Sequence, residues 1–460
     1  MKPYDVVVAG GGNAGLCAAL SAAAEGARVM LVERSPRWRR GGNSRHTRDI
    51  RYAHDTADPW AVTPYPPETF TDDLLSVGDH GSASPELVGL MIEESRSLPT
   101  WMEKHGVRWQ HPLKGSLSLS TNRFFLGGGK ALMNTYYASA ARLGVDVLYD
   151  SSVVGLEFAG DGRCQALTVE HDGRRRAVTV GAVVIASGGL EANRAWLRTT
   201  LGEGADNFVV RGTPDNDGSL LLTLLESGAQ AVGDPTTFHG IAVDARSPRA
   251  DGGIVTRVDS IPFGIVVDAA GRRFYDEGDA PWPKRYAQWG QLIAGRPGQI
   301  AYSILDSRSW GHFIPSCYPP FRAGSLEELA GAHGLDAAVV SRTVAEFNAA
   351  AAPTRPFDAS ELDGNGTHGL SPPKSNWARP IDRAPFYSYP LRPGITFTYA
   401  GLAVDATARV LRSGGRAYDN VFAAGELMAG NILTRGYLAG VGLTIGSVFG
   451  RIGGREAARV

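Results

Sequence analysis

Short apolar runs that end in glycine-rich turns recur along the chain, and they predict buried strands of a parallel sheet. The first run covers residues 6–9, and the alanine-rich stretch at residues 16–25 has the composition of a helix. A second apolar run at residues 28–32 ends in Glu33. Because two parallel strands need a crossover helix between them, this order predicts a βαβ unit at the start of the chain.

Three glycines follow the first predicted strand at G-x-G-x-x-G spacing: Gly10, Gly12 and Gly15. Gly10 permits a tight turn, Gly12 lets backbone amides approach a pyrophosphate, and Gly15 lets the helix pack closely on the strand. The helix N-terminus can hold the phosphate charge, and Glu33 can accept hydrogen bonds from ribose hydroxyls. These residues by themselves predict a dinucleotide site and leave the choice between NAD and FAD open.

Later stretches repeat the pattern of an apolar run followed by glycine. Such runs lie at residues 182–189 and 420–426, whereas residues 233–375 are richer in aromatic and proline residues. We therefore predict an α/β fold with a Rossmann-like nucleotide-binding domain that is split in sequence between residues 1–232 and 376–460. An α+β capping domain, residues 233–375, is expected to be inserted between the two parts and to carry the substrate site.

Charge and cysteine content argue against several classes of protein. The 46 basic and 47 acidic residues leave a net charge of −1, which disfavours binding to nucleic acid or to an acidic membrane surface. The 3 cysteines, Cys17, Cys164 and Cys317, fit no metal-ligand or C-x-x-C spacing, so we expect reduced thiols and no bound metal. Since no apolar run is long enough to span a membrane and no signal peptide precedes the first strand, we expect a cytoplasmic enzyme.

Four motifs together resemble the flavoprotein family of fumarate reductase and succinate dehydrogenase over nearly the whole chain. They are GGGNAG at 10–15 with Glu33, GGNS at 41–44, ASGG at 186–189, and AGE at 424–426 followed by the glycines at 440–446. Within that family, the segments that look most similar to tricarballylate dehydrogenases are 41–48, 238–240, 273–278 and 428–433. The resemblance implies an FAD-binding domain of the GR2 type. It also implies non-covalent FAD, because Asn43 stands where succinate dehydrogenases carry the histidine that is linked to FAD.

The resemblance assigns residues to the cofactor. Glu33 would bind the adenosine ribose, Ser44 would lie beside the isoalloxazine ring, and Glu426 would lie near the pyrophosphate and the ribityl chain. The expected set of cofactor-binding residues is Gly10, Gly12, Asn13, Ala14, Gly15, Glu33, Arg34, Gly42, Asn43, Ser44, Val154, Ala186, Ser187, Gly188, Gly425, Glu426, Gly442, Leu443 and Thr444. His46 follows the same loop, and we expect it to be a structural histidine or a substrate contact.

A polycarboxylate substrate needs cations aimed at its carboxylates, preferably forked arginine donors. The resemblance aligns His239 with a carboxylate-binding histidine, Thr256 with a conserved hydroxyl, and Arg435 with a substrate-clamping arginine. An arginine at position 435 without an anionic partner would be costly to desolvate. A buried structural role is the alternative for His239.

The chain departs from the fumarate reductases at three positions of the expected substrate site. Arg257 replaces a glutamate that relays protons, and it could hold a third carboxylate or face solvent. Tyr399 lies near the place of a second substrate histidine, where it could supply a hydroxyl or pack as a strand aromatic. The catalytic arginine of the family is matched by Arg285 at a longer spacing, and we assign Arg285 the proton-transfer role, with a tyrosine or water as the alternative.

These residues predict an FAD-dependent dehydrogenase that oxidises a C–C single bond next to a carboxylate to an alkene by hydride transfer to flavin N5, in a tricarballylate-like or succinate-like acid. Alkene reduction, as in fumarate reductases, uses the same atoms in reverse. A ketosteroid-dehydrogenase-like enzyme would have an apolar slot, and a non-enzymatic flavin redox protein would have a cap that serves a partner. Because the sequence has no haem or iron–sulfur motif, electrons are expected to leave through an unidentified acceptor or partner protein.

Overall fold

The largest sheet of the protein draws its strands from both ends of the chain. The structure is a computed structural model that describes residues 4–78, 83–112, 120–160 and 162–460. The main path through this eight-stranded sheet runs in the order Arg409–Leu411, Ala417–Ala423, Arg174–Ile185, Tyr4–Ala9, Val29–Val32 and Asp146–Leu148. The predicted α/β fold, with a nucleotide-binding sheet split in sequence, is confirmed.

The central strands of this sheet are parallel and buried on both faces. Tyr4–Ala9 pairs with Val29–Val32 on one side and with Arg174–Ile185 on the other, and Ala417–Ala423 pairs with Arg174–Ile185. The valines at positions 6–8 have no exposed surface. Strands covered on both faces need near-continuous apolar sequence, which is why these elements could be recognised as short apolar runs.

The remaining strands of the large sheet form an antiparallel extension. Ser151–Phe158 pairs with Cys164–His171, which in turn pairs with the first part of Arg174–Ile185. Arg174–Ile185 therefore begins in the antiparallel extension and ends in the parallel core. Its end, after Ile185, brings Ala186, Ser187 and Gly188 to the edge of the sheet where the other parallel strands also end.

The helix after the first strand packs against the last helix of the chain. Asn13–Ala24 and Val441–Ala457 approach closely because the second helix carries glycine at 446, 450 and 454, which places no side chain between the two backbones. A Cβ at Gly450 would overlap the carbonyl oxygen of Ala14. This small-residue contact attaches the C-terminal segment to the opening βαβ unit.

A second sheet of six strands is built around the long strand Phe386–Thr398. Its members besides that strand are Val209–Val210, Phe238–Asp244, Ile265–Asp268, Ala301–Leu305 and Phe321–Ala323. The helices Leu326–Ala332 and Ala337–Ala350 pack apolar side chains onto it. The long strand Phe386–Thr398 belongs to this sheet, although it lies in the range 376–460 that was predicted to be part of the nucleotide-binding domain. The domain boundaries stay a prediction.

Shorter elements surround the two sheets. The other helices are Pro67–Val77, Pro85–Ser95, Leu98–Lys104, Gly128–Arg142, Arg194–Leu201, Ser219–Glu226, Trp282–Arg285 and Trp289–Ala294. The other strands are Asp49–Arg51, Trp109–Gln110 and Asn122–Phe125 in one small sheet, and Ala231–Val232 and Gly401–Leu402 in another. In the part of the chain that the structure describes, no helix combines the length and apolar character needed to cross a membrane. The cytoplasmic location stays a prediction.

Candidate active site

A large cleft opens where the parallel strands of the first sheet end. Ala9, Val32, Ala186 and Ala424 line it at or just after the carboxyl ends of four strands, and His239 lines it from the second sheet. The cleft has a volume of about 1680 Å³ including space open to solvent. Its position at the carboxyl edge of a parallel sheet is the usual place for a ligand in such folds.

The three opening glycines have separate structural roles at one end of the cleft. Gly10 has a φ of +107°, and a Cβ there would overlap the carbonyl oxygen of Ala186. A Cβ at Gly15 would overlap the carbonyl oxygen of Gly10, so Gly15 serves the packing of helix on strand and does not line the cleft. Gly12 does line it, and a Cβ there would lie 3.6 Å from the hydroxyl oxygen of Ser44. Gly12 therefore keeps the space beside the helix N-terminus free for an anionic group.

Glu33 is held as an acceptor in the same part of the cleft. Its carboxylate accepts hydrogen bonds from the backbone N–H of Ser35 at 2.8 Å, from that of Gly41 at 3.3 Å and from the hydroxyl of Tyr137 at 3.1 Å. Burial raises the pKa of Glu33, and these three donors oppose that rise. A carboxylate has about four acceptor positions, so Glu33 retains capacity for a ribose hydroxyl.

The loop that should face the flavin is fixed by its own side chains. Gly42–His46 forms a short 3₁₀ helix, and the hydroxyl of Ser44 accepts a hydrogen bond from the backbone N–H of Asn13 at 3.0 Å. Asn43 donates to the carboxylate of Glu191 at 2.6 Å and to the carbonyl oxygen of Thr396 at 3.0 Å. The first chain segment is thereby joined to the end of the long strand of the second sheet.

His46 is already engaged by the protein. Its Nε2 lies 2.7 Å from a carboxylate oxygen of Asp251, and Arg45 forms an ion pair with the same carboxylate. Burial lowers the pKa of His46 to about 4, and Asp251 opposes that effect. Since His46 also lines the cleft, its place agrees with both expectations, a structural histidine and a substrate contact.

The residues at this end of the cleft fit FAD. Two helix N-termini face it through Gly12 and Gly440. The buried hydroxyl of Ser187 also lines it and has no hydrogen-bond partner among the described residues. The expected cofactor residues that line the cleft are Gly10, Gly12, Asn13, Ala14, Glu33, Arg34, Gly42, Asn43, Ser44, Ala186, Ser187, Gly188, Gly425, Glu426, Gly442 and Leu443. Phosphates bind to backbone N–H groups at helix N-termini, and ribose hydroxyls bind to a carboxylate. A buried hydroxyl can donate to either group or accept from the ribose.

Three expected cofactor residues are not in the lining of the cleft. Gly15 lies in the helix–strand contact described above. Val154 is exposed, because successive strand residues point to opposite faces and Val153 is the one that lines the cleft. Thr444 is fully buried, and its hydroxyl donates to the carbonyl oxygen of Arg51. The structure places these three residues outside the lining of the cleft, and their role toward the cofactor stays a prediction.

The other end of the cleft contains a cluster of buried arginines. Arg48, Arg211 and Arg257 all line it. Burial lowers the pKa of Arg48 and of Arg211 to about 10, and the positive charge of Arg257 adds to both shifts. The described residues form no ion pair with Arg211, and its buried Nε has no hydrogen-bond partner. Desolvated guanidinium groups this close together favour an anionic ligand.

Two carboxyl groups lie among these arginines. Asp259 is buried, and its carboxylate oxygens lie 2.7 and 3.0 Å from Arg257 and 3.9 Å from Arg48. The indole N–H of Trp282 also donates to Asp259 at 2.9 Å. Asp49 lines the cleft, and burial raises its pKa while Asn122 donates to it at 2.8 Å. Asp259 thus largely compensates the positive charge of Arg257, whereas no carboxylate of the described residues pairs with Arg211.

His239 lies between aromatic side chains beside this cluster. Its ring is stacked on Tyr437 with a centroid distance of 4.0 Å and meets Tyr286 edge to face at 5.4 Å. Both ring nitrogens are buried, and neither has a hydrogen-bond partner in the part of the chain that the structure describes. Burial, Arg211 and Arg257 together hold the pKa of His239 well below its usual value, so the imidazole is neutral. A neutral ring with one free donor and one free acceptor can bind a polar group of a substrate.

Four of the expected substrate residues lie elsewhere. Thr256 is buried and donates to the carbonyl oxygen of Gly253 at 2.9 Å, and Tyr399 is buried and donates to that of Gly436 at 2.9 Å. Arg435 is exposed and does not line the cleft. Arg285 is directed to Asp279, with Nε 3.2 Å from its carboxylate. Of the six residues, His239 and Arg257 line the cleft; the other four lie outside its lining, and their substrate role stays a prediction.

The structure adds residues that the sequence argument missed. Arg48, Arg211, Tyr286 and Tyr437 line the substrate end of the cleft. Arg48 lies in the motif quoted at 41–48, and Tyr286 directly follows Arg285, so both were within reach of that argument. Arg211 and Tyr437 belong to no spacing pattern, because their relevance arises from the folding of distant segments onto His239.

Comparison with known proteins places this architecture in a family. The chain matches the model of a family described as an FAD binding domain over residues 5–443. It is 26% identical over 479 residues to a probable fumarate reductase of Shewanella frigidimarina, covering 99% of this chain and 75% of the relative. An NADH:fumarate oxidoreductase of Klebsiella pneumoniae is 26% identical over 480 residues, covering 100% of this chain and 48% of the relative. A 4-oxocyclohex-2-ene-1-carboxylate 5-dehydrogenase of Sinomonas cyclohexanicum is 28% identical over 393 residues, covering 79% and 63%.

Solved structures share the fold. The open conformation of a flavocytochrome c3 fumarate reductase superposes with a TM-score of 0.77 at 24% identity, covering 100% of this chain and 79% of the other. A 3-ketosteroid Δ1-dehydrogenase from Sterolibacterium denitrificans superposes with a TM-score of 0.77 at 17% identity, covering 100% of both chains. Since the family match spans nearly the whole sequence and the cleft fits the cofactor, the chain belongs to the FAD binding domain family and is an FAD-dependent oxidoreductase acting on C–C bonds.

Proposed function

We propose that this oxidoreductase converts a C–C single bond next to a carboxylate into an alkene in a small polycarboxylic acid of the succinate or tricarballylate type. The observation that carries the proposal is the buried guanidinium of Arg211 in the cleft, with which no described residue forms an ion pair and whose Nε has no hydrogen-bond partner among them. A desolvated guanidinium without a counter-charge is costly, and a bound carboxylate would remove that cost. Forked N–H donors also suit the two oxygens of a carboxylate.

The arrangement of charges supports more than one carboxylate on the substrate. The carboxylate of Asp259 lies 2.7 Å from Arg257 but 3.9 Å from Arg48. The buried Nη1 of Arg48 has no hydrogen-bond partner among the described residues. Arg48 and Arg211 therefore both have capacity for an added anion. We assign one substrate carboxylate to each of them, while Arg257 stabilises the negative charge that develops beside the reacting carbon.

His239 and Tyr437 would orient the substrate. The neutral imidazole offers hydrogen bonds from two free ring nitrogens, and its stacking on Tyr437 holds the ring in one plane. A positioned donor at a carboxylate or carbonyl oxygen gains strength in a desolvated site. His239 therefore keeps the substrate role that the sequence suggested.

We assign proton transfer to Tyr286 in place of Arg285. Tyr286 lines the cleft, and the guanidinium carbon of Arg257 lies 4.6 Å from its ring centre. Burial raises the pKa of Tyr286 to about 12, while Arg257 and Arg211 lower it. The neutral hydroxyl can donate a proton in alkene reduction, and the two arginines would stabilise the tyrosinate that must accept one in oxidation. Bound FAD supplies or accepts the hydride.

A second candidate substrate is a cyclic oxo acid. Two tyrosines line the cleft near His239, and a phenol can donate to a ketone oxygen as the adjacent carbon loses a proton. The relative from Sinomonas cyclohexanicum is named for an oxo-carboxylate of this kind. Both candidates carry a carboxylate, and both leave the reducing equivalents on FAD for an external acceptor or partner protein.

Anaerobic mixing of the FAD-loaded protein with candidate substrates tests the proposal. The compounds are succinate, tricarballylate, an oxocyclohexane carboxylate and a neutral 3-ketosteroid, and loss of the visible flavin absorbance is followed. The same samples are chemically reduced and mixed with the unsaturated acids, so that either direction is detected. We expect turnover with at least one acid. Turnover with the steroid alone would overturn the polycarboxylate and oxo-acid proposals together.

A further inference from the structure

Two carboxyl groups lie side by side next to the 3₁₀ helix Gly42–His46, which we call the flavin loop. Glu191 follows the strand Arg174–Ile185 and has no exposed surface, and Glu426 begins the turn after the strand Ala417–Ala423. Their side chains are within hydrogen-bonding reach of each other. Glu426 lines the FAD cleft, whereas Glu191 lies behind it.

The hydrogen bonds of Glu191 are those of a carboxylate. Its Oε1 accepts from the side-chain amides of Asn43 and Asn216, each at 2.6 Å. Its Oε2 is buried, and no N–H or O–H group of the described residues donates a hydrogen bond to it. Burial raises the pKa of Glu191, and donation from the two amides opposes that rise and favours its ionised form over that of Glu426. The remaining oxygen then requires a donor, and the carboxyl of Glu426 is the adjoining group.

Glu426 has the partners of a neutral acid. One oxygen, Oε1, accepts from the backbone N–H of Thr398 at 2.8 Å and lies 3.3 Å from its hydroxyl. Burial and the neighbouring Glu191 raise the pKa of Glu426 well above its usual value. The other titratable group that acts on this side chain is Tyr399, whose pKa burial also raises, and no cation of the described residues forms an ion pair with either glutamate. Glu191 is buried and Glu426 is half-buried at the cleft wall, so two adjacent carboxylates without a cation disfavour the state in which both are ionised.

We propose that Glu191 is a positioning residue for FAD, because it holds a proton on Glu426 and thereby presents a neutral carboxyl to the cofactor. The negative charge of the pair then lies on Glu191, behind the cleft wall. An ionised Glu426 would instead face a cofactor whose pyrophosphate is anionic. The same carboxylate of Glu191 also fixes Asn43, so the protonated pair and the flavin loop form one hydrogen-bonded unit.

The variants Glu191→Gln and Glu426→Gln test this proposal as a matched pair. Each replaces one carboxylate by an amide of the same shape, so packing is changed equally. In E426Q the new amide donates to Glu191, and the charge stays behind the cleft. In E191Q the amide oxygen accepts from Asn43 and Asn216 while its N–H₂ donates to Glu426, which then ionises and carries the charge into the cleft. We expect E191Q to bind FAD about tenfold more weakly than E426Q.

The readout is the dissociation constant of FAD for the apoprotein, followed by quenching of FAD fluorescence, and it does not depend on any substrate. Equal affinities in the two variants, or weaker binding by E426Q, would overturn the proposal. Infrared spectroscopy of the wild-type protein provides a second measurement in case E191Q does not fold. We expect a carbonyl stretching band of a buried carboxylic acid that disappears in E426Q. Absence of that band from the wild type would also overturn the proposal.

Discussion

The two ends of the cleft are formed by different kinds of groups. At the FAD end, backbone N–H groups, glycines and one acceptor carboxylate from Glu33 form the surface, and most of these residues lie within a few positions of a strand end. At the substrate end, Arg48, Arg211 and Arg257 supply long charged side chains from three separate segments. The first end depends on close backbone packing, and the second depends on the balance of buried charges. Mutations at the two ends should therefore fail in different ways.

The largest effect is expected at a glycine of the FAD end. Gly15→Ala places a Cβ against the carbonyl oxygen of Gly10, and two backbones must separate to admit it. We expect a loss of more than about 3 kcal/mol in the free energy of unfolding together with loss of FAD binding, measured by denaturant unfolding and by flavin absorbance. Gly89→Ala is the control, because Gly89 lies in the helix Pro85–Ser95 with nothing within 4 Å of an added Cβ. Equal stability of the two variants would contradict this account of the glycine end.

A charge at the substrate end should affect substrate binding and spare the cofactor. Arg211→Gln removes the unpaired guanidinium, and we expect the half-saturating concentration of the acid in flavin reduction to rise about 30-fold, for a loss of about 2 kcal/mol. FAD content should change little, and the substrate-free variant should be at least as stable to unfolding as the wild type, because a buried charge without a counter-charge is removed. Arg435→Gln is the comparison, because Arg435 is exposed outside the cleft, and we expect less than about a twofold change. A larger effect at Arg435 than at Arg211 would restore the assignment made from sequence.

The carboxylate of Asp259 should determine how many carboxylates the substrate end prefers. Asp259→Asn leaves Arg257 without its counter-charge, so a third substrate carboxylate can take that place. We expect the affinity for a tricarboxylate relative to a dicarboxylate to increase about tenfold within the variant. Isothermal titration of both acids into the wild type and the variant measures this ratio. An unchanged ratio would mean that Arg257 does not contact the substrate region.

The smallest effect concerns the neutral histidine. The folded pKa of His239 is lowered well below its unfolded value of about 6.5, so below that pH the unfolded chain binds the extra proton. The wild-type protein without substrate should therefore lose about 0.8 kcal/mol of stability through this group when the pH falls from about 8 to about 6. His239→Gln lacks this group, so its unfolding free energy should fall by about 0.8 kcal/mol less between these two pH values than that of the wild type. An identical pH dependence in both proteins would contradict the buried neutral state.

The FAD end could be anticipated from sequence because its determinants are local. Gly10, Gly12 and Glu33 belong to one βαβ unit, and the spacing within that unit fixes their arrangement in space. The side chain of Val154 lies outside the cleft lining for an equally local reason: a shift of one residue along a strand moves a side chain to the opposite face. A difference of this kind concerns one residue and leaves the site recognisable.

The substrate end could be anticipated only in part because its residues meet through tertiary structure. His239 was found, but its neighbours Arg211 and Tyr437 come from segments with no spacing relation to it. Arg285 and Arg435 were aligned by motif, yet Arg285 forms an ion pair with Asp279, and Arg435 is exposed and does not line the cleft. The direction of a long side chain depends on nearby counter-charges, and sequence spacing does not contain that information.

The central claim is that the arginine end of the cleft selects carboxylates for a reaction at the flavin. Its most direct test compares an acid that reacts with FAD in the wild-type protein with the uncharged amide of the same acid, under anaerobic conditions. We expect the acid to change the flavin absorbance with a half-saturating concentration at least about 30-fold lower than that of the amide, as expected for one lost charge-assisted contact of about 2 kcal/mol. Equal concentrations for the acid and the amide would contradict the claim.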